Sequence, residues 1–157
     1  MVKPRTNPLA ARPIPLGNLL SAATRTLVAR LDSGLADAGF DDLRAAHAPV
    51  LQAIDGEGSR MTDLADRAAM TKQAMRELVV HLQERGYVEV VRHPEDGRAK
   101  LVMLTGRGWR AIDAGVGIID TFDGWLDGAI GQGEVQKLRV TLQRIIDHHA
   151  EERIPAR

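Results

Sequence analysis

Cysteine is absent from all 157 residues, which removes disulfides, thiol redox sensing and thiolate metal ligands together. Aromatic side chains are nearly as scarce. Phe40, Tyr87, Trp109, Phe122 and Trp125 are the whole set, so the core has to be mostly aliphatic. Serine occurs only at Ser21, Ser33 and Ser59, none in a catalytic setting, and no nucleophile elbow, phosphate loop or HExxH pattern is present. An enzyme is therefore not expected. No apolar run approaches the roughly 18 residues that span a bilayer, and the first residues lack the apolar centre of a signal peptide. A cytoplasmic setting without membrane attachment is the expectation. The histidines suggest no metal site: His148 and His149 are adjacent and point about 100° apart on a helix, while His81 and His93 fall in no ligand spacing. Neither a metal nor a cofactor is expected.

Net charge is also missing, since 21 basic residues balance 21 acidic ones. A sum of zero says little where the signs are segregated, and here they are. Five basic residues (Lys3, Arg5, Arg12, Arg25, Arg30) precede Asp32 with no acid among them, whereas the chain from Asp113 on is rich in acids.

Along the chain, Pro4, Pro8 and Pro13 predict a flexible arm over 1–13. Leu16, Leu19, Leu20, Ala23, Leu27 and Leu31 recur at three- and four-residue steps, predicting a long helix that Gly39 ends. A second helical stretch holds Leu43, Val50, Leu51 and Ile54, with a kink or restart near His47–Ala48 expected from Pro49. The glycine-rich DGEGS at 55–59 is read as a turn. Thr62 is placed as N-cap of a third helix and Thr71 as N-cap of a fourth, so that a short turn separates the two. On the fourth, Met75, Leu78, Val79 and Leu82 share the inner face, leaving Lys72, Gln73, Arg76, Glu77 and Val80 outside. Gly86 ends it. Tyr87–Arg92 and Lys100–Leu104 read as strands around the tip HPEDGR.

Thr105 is placed as cap of a fifth helix with two apolar faces, one through Trp109, Ile112, Val116, Ile119, Leu126 and Ile130, another through Ile118, Phe122 and Trp125. Such a helix packs on its own domain and on a partner chain. A final helix follows GQG at 131–133, with Val135, Leu138, Leu142, Ile145, Ile146 and His149 inward. The fold class expected is thus mainly α with a small β-hairpin wing: a winged helix-turn-helix lobe at 39–105, flanked by a helical dimerisation region at 14–38 and 106–152.

The outer face of the fourth helix carries the chemistry. Gln73 can pair bidentately with adenine, Arg76 reaches guanine or phosphate, and Val80 suits a thymine methyl. Thr71 and the helix N-terminus can receive a phosphate, with Lys72 beside them. In the hairpin, Arg92, Arg98 and Lys100 put three cations near a narrow tip, with Asp96 placed to steady the Arg98 guanidinium. An arginine on a thin hairpin suits the minor groove. The bland alternative is a solvated amphipathic helix beside a charge-balanced surface hairpin.

The run LADRAAMTKQAMRELVVHLQERGYVEVVRHPEDGRAKLVMLT resembles the winged helix-turn-helix of the MarR family of bacterial transcription regulators. The Asp96–Gly97–Arg98 tip followed by LVMLT resembles that family's wing, at a matching distance from the recognition helix. The resemblance implies a homodimer acting on double-stranded DNA at a pseudo-palindromic operator, with repression as the expected output. It maps Thr71, Lys72, Gln73 and Arg76 to the recognition helix and Asp96 with Arg98 to the wing. Regulators of this family often answer to small molecules, frequently phenolic or other aromatic acids, and Arg25, Phe40, His47 and Trp109 are the candidate lining of such an effector pocket. Pro49 and the lack of cysteine depart from parts of the family, the latter excluding a thiol-sensing member. The competing reading is a winged-helix module that binds protein and no DNA, favoured by the zero net charge.

Overall fold

The computed structural model describes residues 13–94, 96 and 99–152, apart from the side chains of 149–152. The arm expected over 1–13 therefore lies, except for Pro13, outside the described residues, as does Arg98. The chain divides into two compact units, one up to Gly115 and one from Val116.

In the first unit, α1 (Leu16–Asp37) ends where Gly39 adopts φ +86°, and the Phe40 N–H closes the turn by donating to the Leu35 carbonyl at 2.8 Å. Leu35 is its one buried residue. Leu16 and Leu19, part of the apolar stripe seen in the sequence, stay exposed on the single chain. The restart at Pro49 takes the form expected: a 3-10 turn, Ala45–His47, runs into α2 (Ala48–Ala53), with proline in the first turn where its missing N–H costs nothing. Leu43 precedes both and is buried without being helical.

Two expectations need correcting. The turn at 55–59 leads into a third strand, β1 (Ser59–Arg60), and helix α3 (Met61–Arg67) starts directly from it. The N-cap position is consequently Arg60 rather than Thr62. Arg60 is extended, at φ −71° and ψ 148°, and the Thr62 hydroxyl donates to the Asp63 carboxylate 3.1 Å away.

Helix α4 (Lys72–Glu84) follows after a tight turn in which Ala69 takes φ 51° and the Met70 N–H returns to the Ala65 carbonyl. Its N-cap is Thr71, whose Oγ1 accepts the Ala74 N–H at 3.1 Å. Thr71→Ala should cost about 1 kcal/mol of stability, measured as a lowered urea midpoint with an unchanged slope; an unshifted midpoint would show that water replaces the cap. Met75, Val79 and Leu82 are buried as the 3.6-residue period requires, and Leu78 is half-buried.

Gly86 at φ +72° ends α4 and leads to β2 (Val88–Arg92), which pairs antiparallel with β3 (Lys100–Leu104) from Val88↔Leu104 to Arg92↔Lys100. β3 is the central strand, with β1 on its other edge. Tyr87, Val88 and Val102 join Leu64, Met75 and Leu82 in the most deeply buried set, so one aliphatic core with a single tyrosine seats the helix-turn-helix on the sheet.

Thr105 then opens α5 (Gly106–Ile130). Its Oγ1 accepts the Gly108 N–H at 3.1 Å and donates to the Gly86 carbonyl at 2.6 Å. The second unit holds the remainder of α5 and α6 (Gln132–Glu152), separated by Gly131 at φ +90°. The Arg139 guanidinium lies 2.5 Å from the Asp123 carboxylate, and the Phe122 and Trp125 rings are 5.6 Å apart. Of the face expected to turn inward on α6, Val135 is buried and Leu142 half-buried, whereas Leu138, Ile145 and Ile146 are exposed on the single chain. His149 is among the side chains not described.

Candidate nucleic-acid interface

The polar face of α4 is the direct complement of its buried one. With Met75, Val79 and Leu82 held in the core, Thr71, Lys72, Gln73, Arg76, Glu77 and Val80 are left exposed on the opposite side. Val80 is 45 % exposed, a branched apolar contact presented to water by a helix otherwise patterned to avoid it. Gln73 is not free to rotate at no cost: its Nε2 donates to Glu77 Oε1 at 3.2 Å, one helical turn on. The sequence-predicted helix residues are thus brought onto one surface.

The hairpin supplies a second charged element. Arg92 and Lys100 sit directly opposite each other at the last rung of the β2–β3 ladder, and both are exposed. Like charges so placed destabilise a hairpin by a few tenths of a kcal/mol up to about 1. An anion between them would reverse that sign. Beyond the rung the chain continues in register, with the His93 N–H donating to the Ala99 carbonyl and the Ala99 N–H to the Asp96 carbonyl, each at 2.9 Å. Asp96 was expected to steady Arg98, which lies outside the described residues. The Asp96 carboxylate stands 3.7 Å from the guanidinium of Arg60 on β1, both about half-exposed. Arg60 is therefore a wing-side cation that the sequence reading missed. Its only local signal was a two-residue strand, too short to carry a period.

The four candidate effector-lining residues are scattered. Arg25 lines a shallow hollow of about 640 Å³ on α1 with Ala22, Thr26, Ala29, Arg30 and Ser33, a set that includes none of the other three. Trp109 is 44 % exposed near the start of α5. Phe40 is half-buried and its ring lies 6.2 Å from that of Tyr87. His47 is buried and stacked on His81 of α4, with ring centroids 4.4 Å apart. Its Nδ1 accepts the Arg44 N–H at 3.0 Å, so its neutral form carries the proton on Nε2. Burial holds the His47 imidazole below its ordinary pKa, helped by the neighbouring His81, Arg85 and Arg44 against a weaker pull from Asp32. Asp32 is itself engaged, its Oδ1 accepting the Ala45 N–H at 2.6 Å. The His81 Nε2 is buried with no hydrogen-bond partner among the described residues.

A further polar cluster joins residues far apart in sequence. The Tyr87 hydroxyl donates to Asp42 Oδ1, and Arg107 Nη2 reaches Oδ1 at 3.0 Å, Oδ2 at 3.2 Å and the Tyr87 oxygen at 3.1 Å. The guanidinium also covers the Tyr87 ring, 4.5 Å from its centroid. This cluster ties the start of α5 to the loop before α2, and so fixes the base of the lobe that carries α4. Among the described residues no helix is long and apolar enough to cross a membrane.

Comparison with known proteins finds relatives in sequence and in fold. A sequence model of the MarR family matches residues 41–99, which run from the loop before α2 into the wing. The transcriptional regulator HosA of Escherichia coli O111:H- is 32 % identical over 104 residues, covering 66 % of this chain and 76 % of that protein. Among solved structures, CouR from Rhodococcus jostii RHA1 bound to p-coumaroyl-CoA is 27 % identical, with a TM-score of 0.66 over 89 % of this chain and 95 % of that one. The S. aureus MepR–DNA complex shares the fold, with a TM-score of 0.73 over 87 % of this chain and 99 % of that one at 17 % identity.

Proposed function

The chain belongs to the MarR family of transcription regulators, and from that premise we propose that it binds an operator in double-stranded DNA as a homodimer and represses transcription until a small aromatic ligand releases it. The observation that carries the DNA-binding part is the exposed face of α4, where Thr71, Lys72, Gln73, Arg76 and Val80 stand together beside a hairpin whose last rung pairs Arg92 with Lys100. A helix of this composition fits the major groove. The wing, with Asp96, Arg98 and Lys100, fits the backbone and minor groove alongside it.

Dimerisation is supported by apolar surface that a lone chain leaves in water. α1 exposes Leu16, Leu19 and Val28, and the unit from Val116 exposes Val116, Ile119, Trp125, Ile130, Leu138, Val140, Ile145 and Ile146. So much exposed apolar area marks an association surface. The helical regions 14–38 and 106–152 are accordingly assigned to pairing and 39–105 to DNA. Two copies related by a two-fold axis would present their α4 helices to half-sites one helical turn, about 34 Å, apart. The ligand class is taken from the relative bound to p-coumaroyl-CoA, with Arg25, Phe40, His47 and Trp109 as the residues to test. A ligand that prefers a dimer with wrongly spaced α4 helices releases DNA.

The test is equilibrium binding of the protein to the promoter DNA beside its own gene across a salt series. Binding should weaken steeply, with a log–log slope near −0.9 per phosphate neutralised, and Lys72→Ala should flatten that slope by about one phosphate's worth. Absence of binding at low salt, to this duplex and to random DNA, would transfer the assignment to a protein-binding winged-helix module.

A further inference from the structure

Resting on the DNA-binding reading above, we propose that Glu77 is a base-reading residue of α4: with Gln73 it forms a hydrogen-bonded pair that selects a base presenting an exocyclic amine in the major groove, cytosine ahead of adenine, on the operator strand it faces.

The position comes from the helix itself. Glu77 lies one turn after Gln73, about 6 Å further along the axis, and both are exposed on the side opposite Met75, Val79 and Leu82. Arg76 and Val80 share that face, so any approach that brings Gln73 and Arg76 to base edges brings Glu77 there too. A carboxylate entering a groove walled by phosphates is repelled by them at close range. On a face designed only for phosphate contact it would be a liability. It is tolerable where the groove floor offers it hydrogen-bond donors.

The hydrogen-bond inventory says which donors those are. The Gln73 amide has two N–H groups and one carbonyl oxygen, and one N–H is given to Glu77 Oε1 at 3.2 Å. The other N–H and the oxygen remain, which is the pair that adenine N7 and N6 require. The bond to Glu77 therefore leaves the adenine contact intact and fixes which way round the amide presents it. Glu77 itself is acceptor-only as a carboxylate. One of its lone-pair sites is taken by Gln73, and the remaining ones can accept from the N4 amine of cytosine or the N6 amine of adenine. Guanine offers it O6 and N7, and thymine offers O4, all of them lone pairs facing lone pairs. Discrimination thus comes from rejection as much as from attraction.

The experiment is selection of operators from a random duplex pool by the full chain and by Glu77→Ala, Glu77→Gln and Gln73→Ala, followed by equilibrium binding to the selected operator and its single-base variants at one salt concentration. The wild type should show a position in each half-site at which exchanging the amine-bearing base for guanine or thymine weakens binding about tenfold. Glu77→Ala should lose that preference, to within about twofold, and should bind random duplex more tightly than the wild type, because a repulsive charge has gone. Glu77→Gln keeps an acceptor for Gln73, so it should retain the preference at the neighbouring Gln73 position while losing the one at its own. That split separates reading from mere positioning of Gln73. Wild type and Glu77→Ala selecting the same operator with equal tolerance would overturn the proposal while leaving DNA binding intact. A wild type that selects no sequence at all would overturn the DNA-binding reading, and this inference with it.

Discussion

Gly108→Ala should lower folding stability by about 3 kcal/mol, the upper part of the range for forcing atoms into a packed core. A Cβ built at Gly108 falls 2.2 Å from the Tyr87 carbonyl oxygen, 3.2 Å from its carbonyl carbon and 3.0 Å from Leu104 Cδ2. Two of those three atoms are backbone, so no rotamer change relieves the contact. The Tyr87 carbonyl is further fixed because it accepts from the Thr105 N–H at 3.1 Å and from the Thr105 hydroxyl at 3.1 Å. Alanine is the better helix former by roughly 1 kcal/mol, which opposes the clash but is too small to cancel it. Gly115→Ala is the control, since a Cβ there meets nothing within 4 Å. Urea denaturation of the two variants should move in opposite directions. A loss below about 1 kcal/mol for Gly108→Ala would mean that α5 can lift from the β2 junction freely, and that its attachment to the lobe is loose.

Gly108 also illustrates what the sequence could and could not convey. Thr105 as a cap, Thr71 as a cap, the restart at Pro49 and the inner face of α4 were all legible, because each rests on residues within one or two turns of one another. The hairpin was legible for the same reason: its tip chemistry and its two runs are adjacent. What escaped was set by distance along the chain. The close approach of Gly108 to Tyr87 spans the whole wing, and the Asp42–Tyr87–Arg107 cluster joins positions up to 65 residues apart. Neither has a period to detect. β1 escaped because two residues cannot alternate visibly, and with it went Arg60, whose extended backbone displaced Thr62 from the capping position.

The site divides along the same line. Gln73, Arg76 and Val80 share a face because a helix dictates it, so the wheel alone placed them, while Lys72 is exposed because it opens the helix. The Gln73–Glu77 bond was open to the same reasoning, being a pair four residues apart, yet composition gave no reason to treat an acid as part of a DNA-facing surface. His47 reads as a pocket candidate with a structural histidine beside Pro49 as the preferred alternative, and its burial against His81 is a structural contact whose partner nothing near it in sequence announces.

Asp42→Ala should cost about 2 kcal/mol at neutral pH, and the part of that cost carried by the depressed carboxyl pKa should fade in acid. Tyr87 is fully buried and its hydroxyl donates to Asp42, so truncation leaves that donor with only Arg107 beside it, itself a donor. An orphaned buried hydroxyl accounts for about 1–3 kcal/mol, and the half-exposed Arg107 adds little because water can take over its charge. Burial of Asp42 pushes its pKa up, but the Tyr87 hydroxyl and the Arg107 charge together outweigh this and hold it below the ordinary 3.8. A depressed carboxyl pKa stabilises the fold fully above the unfolded value, and the contribution drains away as pH falls through the folded one. His47, also depressed, loses its contribution in the same direction but from a higher starting point, beginning below its ordinary 6.5. Wild type and Asp42→Ala should therefore weaken in parallel as pH falls below 6.5, where the unfolded chain protonates His47 and the folded one resists it. The difference between them should shrink only below the ordinary carboxylate value, leaving the part due to the orphaned Tyr87 hydroxyl. Tyr87→Phe, which removes the donor instead of orphaning it and leaves Asp42 paired with Arg107, should be milder than Asp42→Ala at neutral pH. A gap between wild type and Asp42→Ala that persists undiminished in acid would show that Asp42 acts through shape, and that the cluster is not held by charge.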